Sequence, residues 1–347
     1  MTTFKEIRGK LIRTLDTDPT PAANYIGEIW YNKTIGVLKA AGQVPSSYAS
    51  GGTKNNTDFR GGSFGTQSAA IAAGGYPPAG ANAANSSSSE SYNGSAWTTT
   101  PSINTARTDV AGAGTQTAGL LAGGGSSPNG SPYTDPEPVF NATEEWNGST
   151  WTTVPGTLNT TRGGLGIGAT GTQTASLVFG GNVAPTPSIG PGNTSASEEY
   201  DGTTWTSGNP INTNVSNMGR GGTQTAGIKI GGMTPVSDYV DTVEHYDGTS
   251  WVAATAVPTT MRFANSAGPQ TNLVIMGFDT GPGPGSIETI SYNGSSWSAE
   301  TNLPRVMGRS FVGGNGSDGL VAGGFPQTSQ TFEYVGASIG TRTLTTS

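Results

Sequence analysis

Residues 92–97 read Tyr92-Asn93-Gly94-Ser95-Ala96-Trp97, and the pattern returns as Trp146-Asn147-Gly148-Ser149-Thr150-Trp151, Tyr200-Asp201-Gly202-Thr203-Thr204-Trp205, Tyr246-Asp247-Gly248-Thr249-Ser250-Trp251 and Tyr292-Asn293-Gly294-Ser295-Ser296-Trp297. The closing tryptophans lie 54, 54, 46 and 46 positions apart. Asn-Gly or Asp-Gly between aromatic-bearing runs is a strong hairpin signal, because these residues accept positive φ, and a type I′ turn is the expected form. Each block is therefore a tight hairpin, and a repeat of roughly fifty residues organises the chain.

A second block precedes each hairpin. Gly65-Thr66-Gln67-Ser68 leads to Ala72-Ala73-Gly74-Gly75, and Gly114-Thr115-Gln116-Thr117 leads to Leu121-Ala122-Gly123-Gly124. The block recurs at 171–181 and 222–232, and in weaker form at 268–277 and 316–324, making six copies. Its short apolar run, such as Leu177-Val178-Phe179, suits a central strand that the Gly-Gly ends. One unit thus carries four strands: a Gly/Ala-rich strand, the strand after the Gln, a strand bearing Glu-Glu and an aromatic residue, and a Trp strand. Four-stranded antiparallel units repeated six times predict an all-β, six-bladed β-propeller.

The Gly/Ala-rich strand belongs innermost, where neighbouring backbones converge. Six such strands start near Phe59-Arg60, Arg107, Arg162, Val215, Arg262 and Arg309. The sixth unit has Phe332-Glu333-Tyr334 but no following Trp, while residues 28–39 hold an orphan hairpin around Trp30 and Leu38. Residues 25–40 are therefore expected to help close the ring, so that no sheet edge stays open, with the 339–344 run as the other source of the last strand. On this reading residues 1–24 form an N-terminal arm and 25–347 the propeller.

The bulk composition agrees. Of 347 residues, 55 are Gly and only 11% are charged, as expected for short strands with uncharged faces and many turns. There is no Cys, which excludes disulfides, thiolate metal sites and cysteine nucleophiles. The start of the chain lacks the apolar core of a secretory signal, and no run of 18 apolar residues exists, so a protein made in the cytoplasm without membrane insertion is expected. The net charge of −7 is unevenly spread: residues 1–60 hold eight Lys/Arg and five Asp/Glu, whereas 61–347 hold eight and eighteen. So acidic a body is a poor partner for nucleic acid.

The order of Gly-Gly, aromatic and Trp resembles kelch repeats, the family whose propellers include galactose oxidase, over about residues 55–336. The wording NTAR…GAGTQTAGLLAGG…EEYDGTTW, and the opening IRGKLIRTLDTDP…GEIWYNKTIGVLK, is similar to kelch-type virion proteins of tailed phages infecting marine bacteria and cyanobacteria. This second resemblance covers nearly the whole chain. It implies a particle-associated structural or host-contact protein, a virion component made in the host cytoplasm.

Catalytic parts are scarce. Galactose oxidase chemistry, as that resemblance would imply it, needs two His and a Cys-linked Tyr, and His245 is the only histidine. Zinc and non-haem iron sites of the His-rich type fail on the same count, so no cofactor is expected. Adjacent carboxylates such as Glu144-Glu145 and Glu198-Glu199 point to opposite faces of a strand and do not flank one glycosidic bond. The expectation is a non-enzymatic protein, with a carbohydrate-binding or sialidase-like carbohydrate-active propeller as the alternative.

Three groups of residues are candidates for contacts. Arg60, Arg107, Arg162, Arg262 and Arg309 recur at strand starts, where they either ring a channel mouth for an anionic sugar or pair with Glu90, Glu144, Glu198 and Glu244 to tie strands together. The insertions 76–88, 125–141, 183–195 and 233–239 all follow a Gly-Gly and should emerge on one face; Tyr76, Tyr133, Asp135, Glu137 and Phe140 are their candidate contact residues. In the arm, Phe4, Ile7, Leu11 and Leu15 form a candidate anchor whose spacing fits a helical face or an alternating strand. Expected partners are other virion proteins through the arm, in multiple copies per particle, and a host surface glycan or protein.

Overall fold

The computed structural model describes residues 12–20, 22–77, 85–126, 139–163, 168–183, 192–281, 283 and 285–344. Their strands assemble into seven four-stranded sheets, and the only helical piece among them is a 3-10 turn, Ala22–Tyr25. The sequence expectation was six blades; the seventh sheet is built from segments that the repeat does not include. The chain divides into two compact units, Tyr48–Val335 with six sheets and Met1–Ser47 plus Gly336–Ser347 with the seventh.

In the first unit, the innermost strands are Gly62–Thr66, Ala111–Thr115, Gly168–Thr172, Gly219–Thr223, Ser266–Ala267 and Phe311–Gly314. Each neighbours the innermost strands of the sheets before and after it, and the sixth returns to the first, closing a circle. Small residues allow this convergence: a Cβ on Gly221 would stand 2.3 Å from the Gly268 carbonyl oxygen in the adjoining sheet. The apolar side chains gather into six large clusters, one between each pair of neighbouring sheets. Every strand thus buries its aliphatic or aromatic side chains against the next sheet, each contributing about 1.5–3 kcal/mol.

The Gly-Thr-Gln turn has a specific task. In Gly222 a positive φ of 96° and a carbonyl 2.0 Å from any added Cβ exclude a side chain, so the chain turns tightly and projects Gln224 backwards. The Gln224 amide donates to the Ser176 and Tyr200 carbonyls of the preceding sheet. Gln173 and Gln270 do the same, and Gln67 donates to Gly319 and Tyr334, which joins the first sheet to the last.

The hairpin blocks differ from expectation in one respect. Tyr92 pairs directly with Trp97, so the connection has four residues, and of these Gly94 alone has a positive φ. The Asn93 Oδ1 atom instead accepts the Ser95 and Ala96 N–H groups, an Asx turn in place of the type I′ form.

Ring closure joins strands from distant parts of the chain, as the sequence suggested, but with another segment. The last sheet takes Ser47–Ser50 as its outer strand beside Thr331–Val335. The Trp30–Lys39 hairpin, expected to close the ring, lies in the seventh sheet. There Arg13–Leu15 runs parallel to Ile29–Asn32, which pairs antiparallel with Val37–Val44, and that strand with Ser338–Thr343. Leu15 is a half-buried strand residue of this sheet; the other expected anchor residues, Phe4, Ile7 and Leu11, lie outside the described residues.

Candidate functional site

Four sheets share a buried charge lock. Glu90, Glu144, Glu198 and Glu244, each at most 2% exposed, meet Lys54 at 3.1 Å, Arg107 at 2.9 Å, Arg162, and Lys229 at 3.7 Å. Each carboxylate also accepts two backbone N–H groups from the linker that enters its sheet, those of Asn104 and Thr105 for Glu144 and of Asn159 and Thr160 for Glu198. Burial lowers all four cations from their ordinary values, Lys229 to about 8. The remaining two sheets carry Ile290 and Phe332 in the Glu position, packed with Met261 and Met307. Their linkers begin with Pro258 and Pro304 where the others have Asn, which removes the first of the two N–H groups that the Glu would satisfy.

Arg107 and Arg162 are thus tie residues and take no part in a channel ring. The sequence reading treated the five arginines as equivalent, but counted back from the Gly of the Gly-Thr-Gln turn, or from Gly268 and Gly314, they occupy different positions. Arg60 and Arg309 stand five residues before it, Arg262 six, Arg107 seven and Arg162 nine. A shift of one residue changes the face of a strand.

The position five residues before the turn is the one that lines the mouth of the central channel. It holds Arg60, Asp109, Asn217, Phe263 and Arg309, all with positive φ between 49° and 62°. The conformation comes from backbone passed between sheets: Arg60 N–H donates to the Arg309 carbonyl, Asp109 to Arg60, and Phe263 to Asn217. Five non-glycine residues in this region are a strained set of the kind that clusters at functional sites.

The mouth concentrates positive charge on an acidic protein. Arg60 grips Asp109 with two nitrogens, its Nε at 2.9 Å from Oδ1. Asp279 lies 3.1 Å from Arg309 and 3.8 Å from Arg262, and burial raises its carboxyl above the ordinary range against the pull of these arginines. The Phe263 ring sits among the Arg309, Arg262 and Arg60 guanidinium groups at 4.5, 5.2 and 6.0 Å.

Arg220 is the residue that sequence reading missed. It projects from the fourth innermost strand and lines both the mouth cavity and the cavity beyond it. Among the described residues no carboxylate forms an ion pair with it, and burial pushes its guanidinium down to about 10. Asn217 beside it is 1% exposed, and both polar atoms of its amide lack partners. A signal existed: Arg220 is the only charged residue in the six innermost strands.

The loop candidates fare differently. Tyr76 is 5% exposed and packs its ring on Phe59 at 5.4 Å, so it is a core residue and no contact point. Phe140 is half-buried, its backbone bonded to Gly124 and Arg162. Tyr133, Asp135 and Glu137 lie outside the described residues. His245 faces Tyr292 of the next sheet with ring centroids 5.7 Å apart, and burial lowers its pKa. Among the described residues no group of three or more His, Asp or Glu side chains is placed to hold a metal ion.

No protein-family model matches the chain, and no curated protein matches it in sequence. Solved structures do. The structure titled "Structure of YjhT" superposes with a TM-score of 0.64 at 12% identity, over 84% of this chain and 99% of that one. The fold is a β-propeller. The likeness carries the architecture alone, so the mouth of this propeller has to be interpreted from its own residues.

Proposed function

We propose that the chain is a non-enzymatic structural component of a phage virion: a six-bladed propeller displayed on the particle, with the unit formed by residues 12–44 and 338–343 as its attachment module. The observation that carries this reading is the apolar surface of that unit. Ile12, Ile26, Tyr31 and Ile35 are 41%, 59%, 40% and 55% exposed, a concentration of large apolar side chains at the surface that fits contact with another protein. The similarity of the opening segment to phage virion proteins supports the same assignment, and the ring then faces a host glycan or protein.

The test is to probe purified particles with an antibody against the chain, and to compare wild type with an Ile26→Asp/Ile35→Asp variant whose fold is checked by circular dichroism. The wild type should label particles and the folded variant should be lost from them. Particles free of the wild-type chain would end this reading.

A further inference from the structure

The side chain of Arg220 has no counterpart in the fold. Two residues before the turn glycine, the other five sheets carry Ser63, Gly112, Ala169, Ser266 and Val312, so the position does not require a long side chain. Nor does the sheet junction need the guanidinium. Arg220 is joined to the next sheet through its backbone, its N–H donating to Ser266 Oγ at 2.7 Å and its carbonyl accepting from the same hydroxyl at 2.7 Å. The equivalent junction between the sixth and first sheets, Val312 N–H to Ser63 Oγ at 2.9 Å, forms with an apolar side chain. A half-buried guanidinium without an ion-pair partner is unfavourable for folding, and here it serves no packing role that its counterparts fail to fill.

The groups around it are also unspent. The Asn217 amide offers one unpartnered donor group and one unpartnered acceptor, buried and lining the same cavity. The other mouth arginines are already engaged by Asp109 and by Asp279, so the charge that Arg220 adds is uncompensated. The mouth cavity holds about 60 Å³, and the cavity beyond it, which Arg220 also lines, holds about 310 Å³, the second within the range of about 300–1,000 Å³ usual for small-molecule sites. Its demands are therefore an oxyanion for the guanidinium and, next to it, a group that both donates and accepts, as a hydroxyl does.

We propose that the channel mouth binds a small polyhydroxylated oxyanion, a sugar acid or sulfated sugar, with its anionic group on Arg220 and a neighbouring hydroxyl on Asn217. The site is independent of particle attachment.

The experiment is calorimetric titration of the intact chain with glucuronate, glucose 6-sulfate, glucose and inorganic sulfate. Glucuronate or glucose 6-sulfate should bind at one site per chain, and glucose should not; which of the two binds distinguishes carboxylate from sulfate. Arg220→Gln should weaken binding at least tenfold while leaving the melting temperature of the ligand-free protein unchanged or higher, and Asn217→Gly, which keeps the positive φ, should weaken it less. Binding of inorganic sulfate without either charged sugar would overturn the sugar assignment. No binding by any of the four, or wild-type affinity in a folded Arg220→Gln, would overturn the site.

Discussion

Asp201 and Asp247 stand where three other hairpins have Asn, and both carboxylates are held below the ordinary carboxylate range, chiefly by the Thr204 and Ser250 backbone N–H groups. A carboxyl whose pKa falls on folding contributes stability that is fully present above its unfolded pKa and is lost as pH drops from there through the folded pKa. An Asp201→Asn/Asp247→Asn protein should match wild type at pH 7 and resist acid unfolding better below pH 4, read as the midpoint shift in urea at the two pH values. The charge lock offers a second comparison inside one molecule. Glu144→Ile alone strands Arg107 and should cost about 3–5 kcal/mol, whereas Glu144→Ile with Arg107→Met reproduces the Ile290 and Met261 arrangement and should recover most of the loss in chemical denaturation. Adding Asn104→Pro removes the N–H left without its acceptor and should recover more.

Neighbouring sheets are joined by a residue pair that varies in step. Tyr200, Tyr246 and Tyr92 donate their hydroxyls to Glu145, Glu199 and Glu333 of the preceding sheets at 2.9, 2.5 and 2.5 Å. Where the aromatic is Trp146, the preceding sheet has Ser91, and where it has His245 the Tyr292 hydroxyl turns to its own Gly294 carbonyl. Tyr200→Phe should therefore cost about 1.5–3 kcal/mol, the worth of a hydrogen bond to a charged group, and Tyr292→Phe less than half of that, measured by thermal unfolding of each. Strands, hairpins and the four-strand unit were legible because each depends on residues a few positions apart, such as Asn93 with Ser95 and Ala96. The Asn104 to Glu144 and Pro258 to Ile290 correspondence was also present in the chain, but it links residues some forty or thirty positions apart and shows only when the repeats are aligned to the turn glycine. The channel mouth was misread because the eye follows arginines, while the strand follows register; Arg220, which does not repeat, escaped a search for repeats.

At the scale of the molecule, closure rests on a four-residue strand. The Tyr48 ring packs tilted against that of Tyr334, centroids 5.3 Å apart, and its hydroxyl shares a hydrogen bond with that of Thr289 at 2.8 Å. Tyr48→Ala should destabilise the ring by about 2–4 kcal/mol and free the edge of Thr331–Val335, so gel filtration after mild heating should show more self-association than for a core variant of equal stability. The same pairing has a history in time. Ser47–Ser50 leaves the ribosome about 280 residues before Thr331–Val335, an interval of about 15–60 s at ordinary rates of synthesis. For that interval the strand waits unpaired, and its small, polar sequence, with Tyr48 as its one large side chain, suits it to wait without capturing a neighbour. The circle is completed by the first of its own strands to be made and the last of them to arrive, so a nascent chain interrupted before Thr331 has five finished sheets of the circle and no closure.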